Sequence, residues 1–170
     1  NYSFFRWSDQ LDTGNVLIKK KVFEKCGLFD KQFEKMRMGD GEFGVRAYIN
    51  GFKNISNPKA PREHLKIAEG GLRDMGHWDA FRPKNIFGPR PVASVLYFWR
   101  KYWGNKAAIL SCINTMPFSI NPYFLKGKLK GYIISIILVL SLFPLLIIQL
   151  LRSWSKSSKM IKRGPLIERL

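Results

Sequence analysis

Acidic residues are scarce in this sequence and nearly missing from its second half. After Asp79 the only one is Glu168, against 15 Lys and Arg over residues 80–170. Residues 1–79 carry 11 acidic and 14 basic side chains, so 14 of the formal net +17 charges belong to the C-terminal half. A charge of that size first suggests a nucleic-acid partner. The basic residues, however, sit on no recognisable reading helix and gather about an apolar segment, so no nucleic acid is expected. Cysteine is also rare. Cys26 and Cys112 are far apart and show no metal-ligand spacing such as Cys-x-x-Cys, which argues against a disulfide framework and for a reducing, cytosol-facing location. Histidine occurs twice, at positions 64 and 77, and no Asp-x-Asp occurs at all. Asn1 to Asp12 mixes aromatics with charge and lacks the basic-then-apolar order of a leader, so it reads as a start inside a longer protein. At 170 residues there is room for one compact domain and an appendage.

What the second half does have is a long apolar run. Gly131 to Leu151, GYIISIILVLSLFPLLIIQLL, contains no ionisable group except the Tyr132 phenol. As one helix it would rise roughly 30 Å, about the thickness of a hydrocarbon core. Lys126, Lys128 and Lys130 precede it, and Arg152, Lys156, Lys159, Lys162 and Arg163 follow it. Each such group is attracted to an anionic membrane surface by roughly 1 kcal/mol. A buried core helix is the competing explanation, but length and flanking charge favour a membrane segment. Positive charge on both sides leaves the orientation open. Pro144 lies inside the run, where it either kinks a spanning helix or marks a re-entrant one; a single span is the expectation.

Upstream, the pattern is mixed. Residues 14–19 read as a short strand with Val16 and Ile18 on one face. Lys20 to Cys26 reads as a helix with Val22, Phe23 and Cys26 on one side and Gly27 as its stop. Glu42 to Asn50 reads as a second helix, closed by Gly51, because Phe43, Ala47 and the pair Val45 and Ile49 recur at four-residue steps. Phe52 to Ser56 reads as an edge strand ended by Pro58 and Pro61. His64 to Gly88 is polar and irregular, which suits a long functional loop. Pro91 sits in the first turn of a helix running to about Trp103, with Val92, Val95, Leu96, Trp99 and Trp103 at three- and four-residue steps. The aromatics of that helix, interleaved with Arg100 and Lys101, suit a membrane-interface belt and an ordinary core helix equally.

The stretch Thr13 to Ile18, continued by Val22-Phe23-Glu24-Lys25-Cys26-Gly27-Leu28-Phe29-Asp30 and then Asp40-Gly41-Glu42-Phe43-Gly44-Val45-Arg46, resembles the second half of the GT-A catalytic domain of family-2 glycosyltransferases. It is similar also to the related galactosyltransferase C-terminal module. Those families run Gly-Asn, a strand, a helix ending in Gly-x-Phe-Asp, and then Glu-Asp-x-Asp/Glu-Leu/Phe-x-x-Arg. Gly39 departs from the pattern, standing where Glu is usual. The resemblance implies an α/β fold: the C-terminal fragment of a GT-A nucleotide-diphospho-sugar transferase fold, followed by helices and one transmembrane or re-entrant hydrophobic segment. It divides the chain into an acceptor-side catalytic part (residues 1–90), aromatic amphipathic membrane-proximal helices (91–130), a transmembrane segment (131–151) and a basic tail (152–170).

The implied activity is an inverting glycosyl transfer from a nucleotide-diphosphate donor to a saccharide or lipid-linked acceptor in surface-polysaccharide synthesis, at the cytoplasmic face of a bacterial inner membrane. By the same resemblance Asp40 is the catalytic base. Its place near a helix N-terminus suits an ionised carboxylate, although an isolated Asp there is ordinarily only a cap. Glu42 binds an acceptor hydroxyl or merely favours the first helical turn, and Arg46, one turn later, is a structural ion-pair partner rather than a catalytic group. Gly14 and Asn15 line the acceptor site, Trp78 stacks on a sugar face or packs under the loop, and His64 is a candidate metal ligand. The expected cofactor is Mg²⁺ or Mn²⁺, with its remaining ligands and the nucleotide site in a half of the enzyme upstream of Asn1. The fragment alone would then be inactive. A non-catalytic, membrane-bound basic module that binds acidic lipids or a protein partner is the alternative.

Overall fold

The structure, a computed structural model, describes residues 4, 6–8, 11, 13–60, 85–120 and 127–170. Among these the protein is mostly helical, with five α-helices and one sheet of two short strands. The chain divides into two compact units, residues 1–74 together with 165–170, and residues 75–164.

In the first unit, α1 spans Lys20–Cys26, the limits that its periodicity predicts. Gly27 ends it at φ 76, donating its N–H to Phe23 O at 2.7 Å. A side chain there would be strained by the backbone and would also meet Ile167 and, at 2.9 Å, the Glu168 carbonyl oxygen. Helix α2 spans Gly39–Ile49 and thus begins three residues before the expected Glu42. Its N-cap is Met38 in the left-handed region, φ 75, so Asp40 lies inside the first turn and is not the cap. Val22 and Cys26 of α1 pack with Phe43 and Ala47 of α2, and Leu11, Ile18, Phe23 and Phe52 border that core. The four-residue spacing of Phe43 and Ala47 puts both on one helix face, and that face is the one α1 covers.

Strand β1, Arg6–Ser8, pairs antiparallel with β2, Asn54–Ser56, in the register Arg6 with Ser56 and Ser8 with Asn54. The edge strand expected over 52–56 is therefore present in shortened form. The strand expected over 14–19 is not: Thr13–Asn15 form a 3₁₀ turn and residues 16–19 join no strand. Leu17 is 98% exposed and Val16 37%, so the alternation that suggested a strand buries neither of these side chains, and a lone extended segment has no ladder to hold it. The last residues return to this unit. Leu28 N–H donates to Glu168 O and Lys31 N–H to Leu166 O, while Leu166 N–H donates to Asp30 Oδ1 at 3.0 Å.

In the second unit, α3 spans Ala93–Ser119 with a break at Gly104, whose φ 78 and ψ 174 are not helical. The predicted stop near Trp103 coincides with this break, but a second helical stretch follows it directly. Residues 129–163 form two helices, α4 over Leu129–Ser141 and α5 over Phe143–Arg163, bent by 80° where they meet. This corrects the expected single span: among the described residues no one helix is long and apolar enough to cross a membrane, and only the bent pair of α4 and α5 together passes that test. Pro144 explains much of the difference. It stands in the first turn of α5, where its missing N–H has no intrahelical partner to lose, so it starts a helix instead of kinking one. Leu96, Ala108, Cys112 and Met116 of α3 and Leu146 of α5 form the core. Ser94, Ser153 and Ser157 are fully buried on α3 and α5, and such small side chains let helices pack closely.

Candidate functional site

The residues that carry the family resemblance meet in the first unit, and most of them hold it together. Glu42 is fully buried, with no exposed surface. Arg46, one turn later, grips it with both arms of its guanidinium: Nε donates to Oε1 at 3.1 Å and Nη2 to Oε2 at 3.0 Å. The rest of the guanidinium reaches back to α1, where Nη1 donates to Cys26 O and Nη2 donates to Leu28 O at 2.9 Å. Arg46 thus supplies donors to carbonyls at the end of α1 that the helix itself cannot satisfy. Its guanidinium also lies 5.1 Å from the Phe43 ring centroid, and Phe43 stacks on Phe29 with centroids 4.5 Å apart and an interplanar angle of 28°. Asp30 is buried and accepts the Gln32 N–H at 3.0 Å as well as the Leu166 N–H.

The spacing therefore has a structural meaning. Gly27 turns the chain, Phe29 and Phe43 stack, and Arg46 ties the turn between them to α2. In such an arrangement Glu42 serves the fold: its two oxygens are engaged by Arg46 and its side chain is shut off from solvent. The expectation that Arg46 is an ion-pair partner matches this geometry.

Asp40 is placed differently. It is half-buried in the first turn of α2, and its Oδ1 accepts the Gly41 N–H at 2.8 Å. The positive end of the helix dipole favours a carboxylate there. Gly39 and Gly41 flank it, and at Gly39 an added Cβ would come 3.1 Å from Phe33 Cβ. A side chain at Gly39 would therefore crowd Phe33. Gly14 and Asn15 lie in the 3₁₀ turn, with Asn15 Nδ2 donating to Ala60 O at 3.0 Å on the exposed surface. They form a turn and not the strand expected to floor a sugar site.

His64 and Trp78 lie outside the described residues. Among the described residues no three of His, Cys, Asp and Glu come together as a metal site requires. The buried carboxylates nearby are taken by Arg46 and by backbone N–H groups, so these residues do not by themselves fit a divalent cation. Burial raises the Cys26 thiol above its ordinary pKa, against the opposing pull of the Arg46 and Lys25 charges, which keeps it protonated and unreactive near neutral pH. Both cysteines are free and buried.

No family model matches this chain, and neither a curated protein nor a solved structure does.

Proposed function

We propose that this chain is the acceptor-side part of an inverting, family-2 type glycosyltransferase with a GT-A fold, held at a membrane through its second unit. The observation that carries the proposal is the separation of roles within one motif: Glu42, Arg46, Phe43 and Asp30 are consumed by the fold, whereas Asp40 stays half-buried at the N-terminus of α2 between two glycines. A carboxylate so placed takes the proton of an acceptor hydroxyl as that oxygen attacks the donor's anomeric carbon. The new glycosidic bond forms on the face opposite the departing nucleoside diphosphate, which leaves with the electron pair of the broken C–O bond. The donor nucleotide and a divalent cation would be bound by residues beyond those described, and the acceptor is a saccharide or a lipid-linked one.

Membrane attachment is supported by the second unit's surface. Ile133, Ile136, Ile137 and Leu140 of α4 and Phe143, Ile147, Ile148 and Leu151 of α5 are all exposed, and large apolar side chains gathered on neighbouring surface elements mark membrane or partner contacts. The 80° bend between α4 and α5 suits a re-entrant insertion. A second reading, a non-catalytic membrane-bound basic module that binds acidic lipids or a protein partner, is favoured by the exposed cations of α5, Arg152, Lys156 and Lys159.

The test is sugar transfer by Asp40→Asn in the complete protein. Asn keeps the shape and can still accept the Gly41 N–H, so folding and nucleotide affinity should stay close to wild type while the chemical step falls by roughly 10²–10⁴-fold. Transfer at the wild-type rate would remove Asp40 from the mechanism. Absence of any nucleotide-sugar binding by the complete wild-type protein would leave the non-catalytic reading standing.

A further inference from the structure

Residues 165–170 follow α5 directly in sequence and pack in the first unit, where they hold residues 27–31 mainly through backbone atoms. Leu28 N–H donates to Glu168 O at 2.7 Å and Lys31 N–H to Leu166 O at 3.0 Å. Leu166 N–H donates to Asp30 Oδ1 at 3.0 Å, and Lys31 Nζ bonds the Glu168 carboxylate. The two accepting carbonyls are two residues apart, so an extended segment offers one edge to the turn. Affinity of this kind comes from the main chain, as when a strand is added to a sheet.

Two routes lead from this contact to the first turn of α2. In one, the Leu28 carbonyl accepts from Arg46 Nη2, Arg46 grips Glu42, and Glu42 N–H donates to Met38 O at 2.8 Å. In the other, the Asp30 oxygen that takes the Leu166 N–H also takes the Gln32 N–H, which caps the 3₁₀ turn Lys31–Phe33. Phe33 is buried against the bare side of Gly39. Met38 and Gly39 are the two residues before Asp40.

We infer that residues 166–168 are a strap whose docking positions Asp40, through the N–H groups of Leu166 and Lys31. The inference takes the role of Asp40 from the glycosyltransferase reading above. Leu166 touches no substrate in this scheme; it is a positioning residue that acts through Asp30 and Phe33. With the strap released, Asp30 loses a donor, Leu28 and Lys31 lose their acceptors, and the 3₁₀ turn shifts against α2. A displacement of about 1 Å at a reacting group lowers a rate by up to about a hundredfold.

The test breaks the contact from each side with proline. Leu166→Pro removes the donor to Asp30. Lys31→Pro removes the donor to Leu166 O at the first position of the 3₁₀ turn, after an Asp30 whose φ of −69 and ψ of 113 suit a following proline. In the complete protein each should lower kcat for sugar transfer by about ten- to a hundredfold, with donor KM and nucleotide affinity within about twofold of wild type. Amide hydrogen exchange should become about tenfold faster in residues 28–33 and 38–42 and stay unchanged in residues 43–49. Leu166→Ala and Lys31→Met keep the N–H groups and should restore the wild-type values in both measurements.

Unchanged exchange at residues 38–42, or unchanged kcat beside faster exchange there, overturns the inference. A loss that Leu166→Ala or Lys31→Met reproduces does so as well, because it assigns the effect to side chains. Protection lost throughout α1 and α2 in both proline variants also overturns it, since the strap would then hold the fold as a whole. Absence of transfer by the wild-type protein overturns the glycosyltransferase reading, and exchange at residues 38–42 still decides whether the strap sets the first turn of α2.

Discussion

Arg46 offers the sharpest physical test of how the first unit is built. Arg46→Met keeps a long apolar stem but removes both bonds to Glu42 and the donors to Cys26 O and Leu28 O. Glu42, with no exposed surface, would then keep a buried charge that has lost its guanidinium, and breaking a buried pair in this way costs about 3–5 kcal/mol. The double variant Glu42→Leu with Arg46→Met removes the charge as well and leaves only carbonyls short of donors, a loss of about 1–3 kcal/mol. The double variant should therefore be the more stable of the two by about 2 kcal/mol, or roughly 30-fold in the population of the open form. Cys26 is a local reporter, since it is 8% exposed and its carbonyl is one of the groups Arg46 holds. Pulse alkylation at alkaline pH, read as the modified fraction of the peptide carrying Cys26, measures that opening without assuming that the two units unfold together. Arg46→Met should accelerate labelling by about two to four powers of ten, and the double variant by less. A double variant as labile as Arg46→Met, or an Arg46→Met rate equal to wild type, would refute the claim that this ion pair ties α1 to α2.

Gly27→Ala should detach residues 165–170, because the added Cβ meets Ile167 and the Glu168 carbonyl; carboxypeptidase should trim the variant faster than wild type, and equal trimming would count against the packing of the tail. Because burial raises the Cys26 pKa, folding is favoured while the thiol is protonated, so this contribution is fully present at neutral pH and lost as the pH rises through the folded-state value. Opening at Cys26 should accordingly increase on the alkaline side only, and a loss of protection between neutral and mildly acidic pH would contradict it. Ile136→Asp places a charge at a position that is 61% exposed and should leave folding unchanged while weakening vesicle partitioning by about 2.5–3.5 kcal/mol, or roughly two powers of ten; flotation unaltered by the substitution would take α4 out of the hydrocarbon.

Features set by neighbouring residues were legible in the sequence alone. The limits of α1, its stop at Gly27 and the break in α3 after Trp103 all follow from apolar periodicity interrupted by a glycine at positive φ, and each of these acts within a few residues. That Arg46 serves as an ion-pair partner was legible for the same reason, since it stands one helical turn after Glu42. Tertiary structure decided what depends on distant partners. Residues 14–19 alternate like a strand but find no neighbour to pair with, whereas 54–56 do, in residues 6–8. The run from 131 to 151 is apolar along its whole length, and hydropathy cannot distinguish one straight helix from two that meet at 80°. Nor does composition say which carboxylate of Asp40 and Glu42 is enclosed. That was settled by the arrival of Arg46 between Glu42 and the end of α1, because a buried charge persists only where a partner and its remaining hydrogen bonds are brought to it by the fold.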